Sequence, residues 1–182
     1  MFLGLFRKRN NNRAIVDRQY AALTAAGRDP FFYTDMNVPD TVMGRFEMLS
    51  LIFILYFRRT RASGTSGQEI SQEIVDAFFL DIDYSIRELG VGDTSVPKRM
   101  KKLAGMFYGR LEAYAKALDA ANAAELAEAL SRNIHPAEGG KSPMDRLAAW
   151  AFSAEKALAA VDEAAIETGT AAIVRPQQEI ET

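Results

Sequence analysis

Ten consecutive residues, 48–57, form the most hydrophobic stretch of the chain, with the sequence MLSLIFILYF. As an α-helix, ten residues rise about 15 Å, half of the hydrocarbon thickness of a membrane, and Arg45 and Glu47 bound the stretch closely. A buried strand fits its periodicity equally well, but the helical patterns on both sides of it favour a helix. The stretch therefore predicts a central helix, ending near Arg61, that other helices bury on every side.

The composition fits one compact domain. The chain has 182 residues, of which 48% are hydrophobic, and this is enough for a single domain with a real core. Helical apolar patterns account for the segments on both sides of the central stretch. We therefore predict an all-α fold: a single compact domain of about six helices with a central buried hydrophobic helix.

The chain divides into three predicted parts: a flexible apolar and basic N-terminal arm at residues 1–13, a helical domain at residues 14–169 and an irregular C-terminal tail at residues 170–182. Three asparagines, at positions 10–12, make a polar break before a first helix over residues 13–26. Ser142, followed by a proline, begins the last long helix, which ends near Gly169.

The N-terminal arm has an apolar start followed by basic residues. This order is wrong for a secretory signal, whose positive region comes first, and the apolar part is too short to cross a membrane. The arm is either a disordered start or a contact with an anionic membrane surface. The candidate membrane-surface residues are Phe2, Phe6, Arg7, Lys8 and Arg9. With no cysteine and no export signal, we expect a bacterial protein of this kind to be cytoplasmic and peripheral to the inner membrane.

Several classes of function are disfavoured. The sequence has no cysteine, which excludes disulfides, thiol nucleophiles and iron–sulfur ligation by the chain. His135 is the only histidine and has no second histidine or cysteine for metal or nucleophilic chemistry. The net charge of −2 argues against a nucleic-acid binder that is basic throughout. We expect no catalytic residue, no metal, no cofactor and no nucleic-acid partner.

A glycine-rich corner separates two helical patterns near residue 90. Gly90 suits the left-handed conformation that ends many helices, and Gly92 with Asp93 continues the turn. Ser95 offers an N-cap hydroxyl, and Pro97 lies in the first turn, where its missing N–H has no partner to lose. The pattern predicts a helix, a tight corner and a second helix.

The helix before the corner has one apolar stripe, formed by Ile70, Ile74, Phe78, Ile82, Ile86 and Leu89. Asp81 lies beside this stripe, where a carboxylate needs a cation or several donors, because burial without them costs several kcal/mol. Asp83 and Arg87 face solvent four residues apart and can pair there. The predicted bracing residues of the corner are Asp81, Asp83, Arg87, Asp93 and Arg110.

The helix after the corner has a core face made of Met100, Leu103, Phe107, Leu111, Tyr114 and Leu118. The opposite face carries cations and two glycines, with Glu112 as its only acid. Each glycine costs the helix roughly 0.5–1 kcal/mol relative to alanine. Either a partner approaches this face closely, or another helix of the same chain crosses it and the lysines are merely solvated. The candidate partner-binding residues are Lys98, Lys101, Lys102, Gly105, Gly109 and Lys116.

This stretch resembles the ubiquinol-cytochrome c chaperone family. The residues that carry the resemblance are Phe78, Phe79, Asp81, Asp83, Ser85, Arg87, Glu88, Gly90, Val91, Gly92, Asp93, Val96, Pro97, Lys98, Lys101, Lys102, Phe107, Tyr108, Gly109 and Arg110. A weaker match extends over residues 38–59 and again near Arg175, so the resemblance covers most of the chain. It implies a bacterial-type, non-enzymatic assembly factor for the cytochrome bc1 complex that engages newly made cytochrome b at the membrane surface. A second small assembly factor is a further expectation.

Three functions follow from these patterns. The favoured one is a chaperone that holds an extended or loop segment of cytochrome b against the basic, glycine-bearing face. The alternative is a peripheral membrane or lipid-binding helical module that uses the N-terminal arm. A small-molecule enzyme is the third, but Asp81 and Asp83 are about 200° apart on their helix and cannot form a carboxylate pair. Glu-x-x-His repeats and a phosphate-binding loop are also missing from the sequence.

Overall fold

A computed structural model describes the backbone of residues 2–90 and 92–176 and the side chains of residues 12–90 and 92–176. The chain in these ranges is helical, with a one-turn 3-10 helix at Pro136–Glu138 and no β-strand. The α-helices are α1 (Phe2–Gly27), α2 (Pro30–Thr34), α3 (Val42–Thr60), α4 (Thr65–Glu88), α5 (Val96–Asp119), α6 (Ala123–Ile134), α7 (Asp145–Ala159) and α8 (Glu163–Thr168). The predicted all-α class is confirmed.

Helix α3 is the centre of the fold. Its apolar side chains between Met48 and Tyr56 are fully buried except Leu49, which is partly buried, because α1, α4, α5, α6 and α7 all pack against the helix. The Thr41 hydroxyl caps its start by accepting a hydrogen bond from the Gly44 N–H at 3.0 Å. Phe53 stacks on Tyr20 of α1 at 5.7 Å between ring centroids and meets Phe78 of α4 edge-on at 4.7 Å. The predicted central buried helix is confirmed.

Helix α1 begins earlier than predicted. Its backbone is helical from Phe2 onwards, so the three asparagines at positions 10–12 do not break it. Asparagine costs a helix only a few tenths of a kcal/mol, and neither glycine nor proline interrupts the segment after position 4. Residue 13 is therefore not a helix boundary, and the division into an arm, a helical domain and a tail stays a prediction. The candidate membrane-surface side chains of the arm lie outside the described side chains.

The predicted last long helix is two helices. Helix α7 starts at Asp145, and the Ser142 hydroxyl, which the sequence placed at its cap, accepts a hydrogen bond from Asn37 at 2.8 Å instead. The chain breaks again before α8, where Glu163 accepts hydrogen bonds from the Ser63 hydroxyl at 3.0 Å and the Gly64 N–H at 3.1 Å. These bonds hold α8 against the N-terminus of α4.

The segment after α8 is irregular but well anchored. Gly169 adopts φ +67 and packs so closely on α1 that a Cβ there would lie 2.4 Å from the Ile15 carbonyl oxygen. The buried Gln19 amide then makes two hydrogen bonds to the backbone of Ala171, at 2.8 and 3.0 Å. Trp150 donates to the Val174 carbonyl at 3.2 Å. Residues 169–174 thus strap α1 to α7.

A buried ion pair joins α3 to α5. Arg110 donates two hydrogen bonds to the Glu47 carboxylate, and their side chains are only 7% and 2% exposed. A third bond runs from Arg110 to the Met106 carbonyl at 2.8 Å. Burial raises the pKa of Glu47, and the bonds from Arg110 offset only part of that effect. The pair fixes how α5 is rotated about its own axis against α3.

We predict that Arg110→Met destabilises the protein by about 3–5 kcal/mol, because it leaves the Glu47 carboxylate buried without its partner. Adding Glu47→Met should restore most of that loss, since an apolar pair of similar size needs no compensating charge. Urea denaturation of the wild type, both single variants and the double variant measures the coupling. A double variant as unstable as Arg110→Met alone would contradict this account.

A second prediction concerns Glu163. Its partial burial raises the pKa of the carboxyl, but the bonds from Ser63, Gly64 and Arg59 lower it by more, so the pKa of Glu163 lies below its ordinary value. A depressed folded-state pKa stabilises the fold at neutral pH, and this contribution is lost as the pH falls through that pKa. The unfolding free energies of wild type and Glu163→Gln should therefore differ at about pH 7 and converge towards about pH 3. Denaturation series at each pH test this, with Glu167→Gln as the matched loss of one charge from α8. A difference that does not change with pH would refute it.

Candidate functional site

The predicted corner is a tight antiparallel connection between α4 and α5. Gly90 has φ +77, the left-handed conformation expected after a helix, and its N–H donates to the Arg87 carbonyl at 2.9 Å. The Arg87 guanidinium pairs with Asp83 at 2.7 Å and also with Asp93 at 2.5 Å, so it bridges the end of α4 to the loop. Pro97 lies in the first turn of α5, but the Ser95 side chain makes no capping hydrogen bond.

Two of the predicted bracing residues lie elsewhere. Asp81 accepts a hydrogen bond from the Tyr20 hydroxyl at 2.7 Å, so it ties α4 to α1. Burial and that bond raise the pKa of Tyr20, which keeps the hydroxyl protonated as a donor. Arg110 pairs with Glu47 of α3. The prediction that these two residues jointly brace the corner is therefore wrong, because helical spacing gives the side of a helix but not the neighbour packed there.

The outward face of α5 is open. Lys98, Lys101 and Lys102 are exposed, and no atom outside the helix lies within 4 Å of where a Cβ would stand on Gly105 or Gly109. Described helices of the same chain therefore do not cross the glycines, which removes one of the two explanations for them. Each glycine weakens α5 without any packing gain inside the described part of the fold.

The cations on this face are electrostatically uncompensated. The three lysines of this face, together with Arg99 about 100° round the helix from Lys98, lie in the first two turns of α5, whose first turn has no acidic residue. The N-terminus of a helix carries partial positive charge, so cations there destabilise it. Among the residues that the structure describes, none of the four has an ion-pair partner. We call Lys98, Arg99, Lys101 and Lys102 the cation cluster.

Lys116 differs from the cation cluster. Its ammonium donates to the Glu125 carboxylate of α6 at 2.8 Å, and this hydrogen bond raises the pKa of Lys116. It lies eighteen residues beyond Lys98, about 27 Å along the helix. Lys116 thus helps to join α5 to α6 within the fold.

The sequence analysis did not single out four exposed residues of the hairpin. Arg99 belongs to the cation cluster, and Leu80, Tyr84 and Tyr108 are exposed large apolar side chains on the hairpin. Leu80 and Tyr84 are four residues apart on the outward side of α4, away from the stripe that contains Phe78. Apolar residues repeated at that spacing on a polar face were the signal that could have found them.

The remaining candidates for chemistry have structural contacts. The Nε2 atom of His135 lies 2.7 Å from the Asn37 carbonyl oxygen, which joins the loop after α6 to the loop before α3. Within the described ranges, no group of acidic or histidine side chains could hold a metal ion. In the same ranges, no helix is both long enough and apolar enough to span a membrane.

Comparisons with known proteins identify the family and give a similar fold. The family model described as ubiquinol-cytochrome C chaperone matches residues 34–173. The crystal structure of the Cbp3 homolog from Brucella abortus has 44% sequence identity and a TM-score of 0.88, over 98% of this chain and 99% of that chain. The comparison with curated proteins gives no match. The family match spans the helices that build the hairpin and its cation cluster, and the chain belongs to the ubiquinol-cytochrome c chaperone family.

Proposed function

We propose that this protein is a non-enzymatic assembly chaperone that binds newly made cytochrome b during biogenesis of the cytochrome bc1 complex. Family membership supports an assembly chaperone. The observation that carries the proposal is the outward face of α5, where the cation cluster lies beside two glycines in open space. This face lowers the stability of the isolated chain, so its composition is best explained by contact with a partner.

The mechanism is stoichiometric binding and release without turnover. The cation cluster attracts acidic side chains of the partner, which gives orientation and a fast encounter. Gly105 and Gly109 let the partner's backbone come close to α5, because no side chain stands between them. Binding ends when cytochrome b enters its complex and this face is exposed again.

The site of action that fits this partner is the membrane surface. Cytochrome b is a membrane protein, and its newly made segments emerge at the lipid boundary. We propose that the chaperone works on the cytoplasmic side as a peripheral protein, with cations of the hairpin also facing anionic headgroups. The arm residues Phe2, Phe6, Arg7, Lys8 and Arg9 would add to that contact.

A charge reversal tests the cation cluster. We predict that Lys98→Glu combined with Lys102→Glu abolishes capture of cytochrome b from solubilised membranes. The fold should be kept, because acidic residues in the first turns of α5 complement the positive end of the helix. Pull-down with the full chain measures capture, and thermal unfolding measures stability.

The matched control is Lys141→Glu combined with Lys156→Glu, which changes the net charge equally at exposed lysines elsewhere. Its capture should equal that of the wild type at low salt. Capture that survives reversal of Lys98 and Lys102 would remove this face as the binding site.

The two glycines give an independent prediction. Gly105→Ala and Gly109→Ala should each stabilise the free protein by roughly 0.5–1 kcal/mol, because an added methyl meets only open space. The double variant should nevertheless capture less cytochrome b, since the methyl groups stand where the partner's backbone lies. Gly64→Ala is the control: its Cβ also meets open space, but at the far end of α4 from the corner. A double variant with a raised melting temperature and undiminished capture would show that the partner does not approach the glycines.

A further inference from the structure

The outward side of α4 combines an exposed apolar pair with carboxylates. Leu80 and Tyr84 are one helical turn apart and are 52% and 55% exposed, large values for side chains of this size. Four acidic residues share their side of the helix. At about 100° per residue, all of them lie within about 80° of Leu80, whereas the buried Phe78 lies about 160° away. We call this set the acidic face of α4, and its members are Glu69, Glu73, Asp76, Leu80, Tyr84 and Glu88.

The carboxylates of the acidic face of α4 are not neutralised inside the fold. All four are exposed, and none has an ion-pair partner among the residues that the structure describes. Arg87, the only cation of α4, is already paired with Asp83 and Asp93. In the same ranges, no cation of α5 forms an ion pair with an acid of this face. The apolar pair therefore lies in a negatively charged surface.

This composition is unfavourable for the isolated chain. Glu69 and Glu73 are four residues apart and Glu73 and Asp76 are three apart, spacings at which like charges destabilise a helix. Glu88 is the last residue of α4, where the helix carries partial negative charge, so its carboxylate is unfavourable as well. A partner that brings positive charge removes all of these repulsions. The acidic face is therefore best explained by contact with a cationic partner.

We propose that the acidic face of α4 holds a positively charged segment of newly made cytochrome b next to one of its transmembrane helices. Such a segment offers apolar side chains to Leu80 and Tyr84, and lysine or arginine to the surrounding carboxylates. Membrane proteins have this composition on the cytoplasmic side, where loops near the ends of transmembrane helices carry an excess of lysine and arginine. Anionic lipid headgroups do not fit, because the carboxylates repel them. The inference rests on the proposed function and adds a second contact, opposite in charge to the cation cluster.

The chain offers matched controls for both properties of this face. Val42 and Met43, at the start of α3, are 71% and 44% exposed, but the nearest acid in sequence, Asp40, is paired with Arg45 at 2.7 Å. This pair has the apolar character without the free carboxylates. For the charges, Glu128→Gln combined with Glu167→Gln removes two exposed acids from other helices.

The first experiment measures binding of a synthetic peptide to the full chain by fluorescence anisotropy. In the peptide, lysines flank a short stretch of leucine and alanine, and a second peptide has glutamate in place of lysine. Leu80→Ser/Tyr84→Ser and Glu73→Gln/Glu88→Gln should each weaken binding of the lysine peptide at least about fivefold. Val42→Ser/Met43→Ser and Glu128→Gln/Glu167→Gln should stay within about twofold of the wild type. None of the four variants should change binding of the glutamate peptide.

The two test variants check each other. Glu73→Gln/Glu88→Gln removes unfavourable charges, so it should stay folded even if the apolar variant does not, and circular dichroism with thermal unfolding shows this. Binding of the lysine peptide should also weaken as the ionic strength rises. A lysine peptide that does not bind the wild type, or that binds Glu73→Gln/Glu88→Gln and its control equally, would overturn the proposal.

The second experiment identifies the bound segment. Tyr84→p-benzoylphenylalanine keeps an aromatic ring and adds a photoreactive group, and the probe is cytochrome b made by cell-free translation in detergent micelles. Crosslinks mapped by mass spectrometry should fall in lysine- or arginine-rich segments beside transmembrane helices. Capture with crosslinks elsewhere, with none, or with a second copy of the chaperone would overturn this inference and leave the chaperone function intact. A wild-type chain that captures no cytochrome b would instead refute the proposed function itself.

Discussion

The burial of the apolar stretch of α3 determines the rest of the structure. Its stretch of apolar residues has no face that tolerates water, so five other helices must each turn an apolar stripe towards it. Helices α4 and α5 cover part of it with Phe78 and Phe107, whose rings meet 5.7 Å apart. Once these inner faces are committed to the core, the outer faces of the hairpin are left without a partner inside the described fold. The core thus decides which residues remain for recognition.

The buried pair of Glu47 and Arg110 adds orientation to that packing. Apolar contacts alone allow a helix to turn by some degrees at small cost, whereas a paired buried charge tolerates little displacement. Arg110 follows Gly109 directly, so holding the guanidinium in the core also holds the glycines towards solvent. The buried ion pair therefore determines which side chains of α5 are exposed on the surface of the protein.

Local signals in the sequence were sufficient for much of the fold. The central helix follows from ten apolar residues, and the corner follows from Gly90 and Pro97, because each acts through the conformation of its own backbone. The break between α7 and α8 could not be predicted in this way. It depends on Glu163 binding the start of α4 and on Arg59 donating to the Val161 carbonyl at 2.8 Å, contacts about a hundred residues apart in sequence. The partners of Asp81 and Arg110 could not be predicted for the same reason, because each lies more than sixty residues away in the sequence.

In the candidate site, too, the sequence predicted some features and the structure was needed for others. The lysines and glycines of α5 were predictable because their spacing alone places them on one face. Leu80 and Tyr84 were not singled out, although their spacing places them on the side of α4 away from the apolar stripe. The structure shows that both side chains are exposed and that the glycines have open space around them. Exposure depends on the neighbours of a helix, which its own sequence does not specify.

The two hydrogen bonds between Gln19 and Ala171 also bear on the order in which the fold forms during synthesis. The two residues are 152 positions apart, so this pairing cannot form until residue 171 has left the ribosome. Contacts of such separation form late, because a long loop must close before they stabilise anything. Until then, α1 lacks the Gln19 bonds that tie it to the C-terminal segment. Helix α1 is thus fastened by a segment that is synthesised about 150 residues after it.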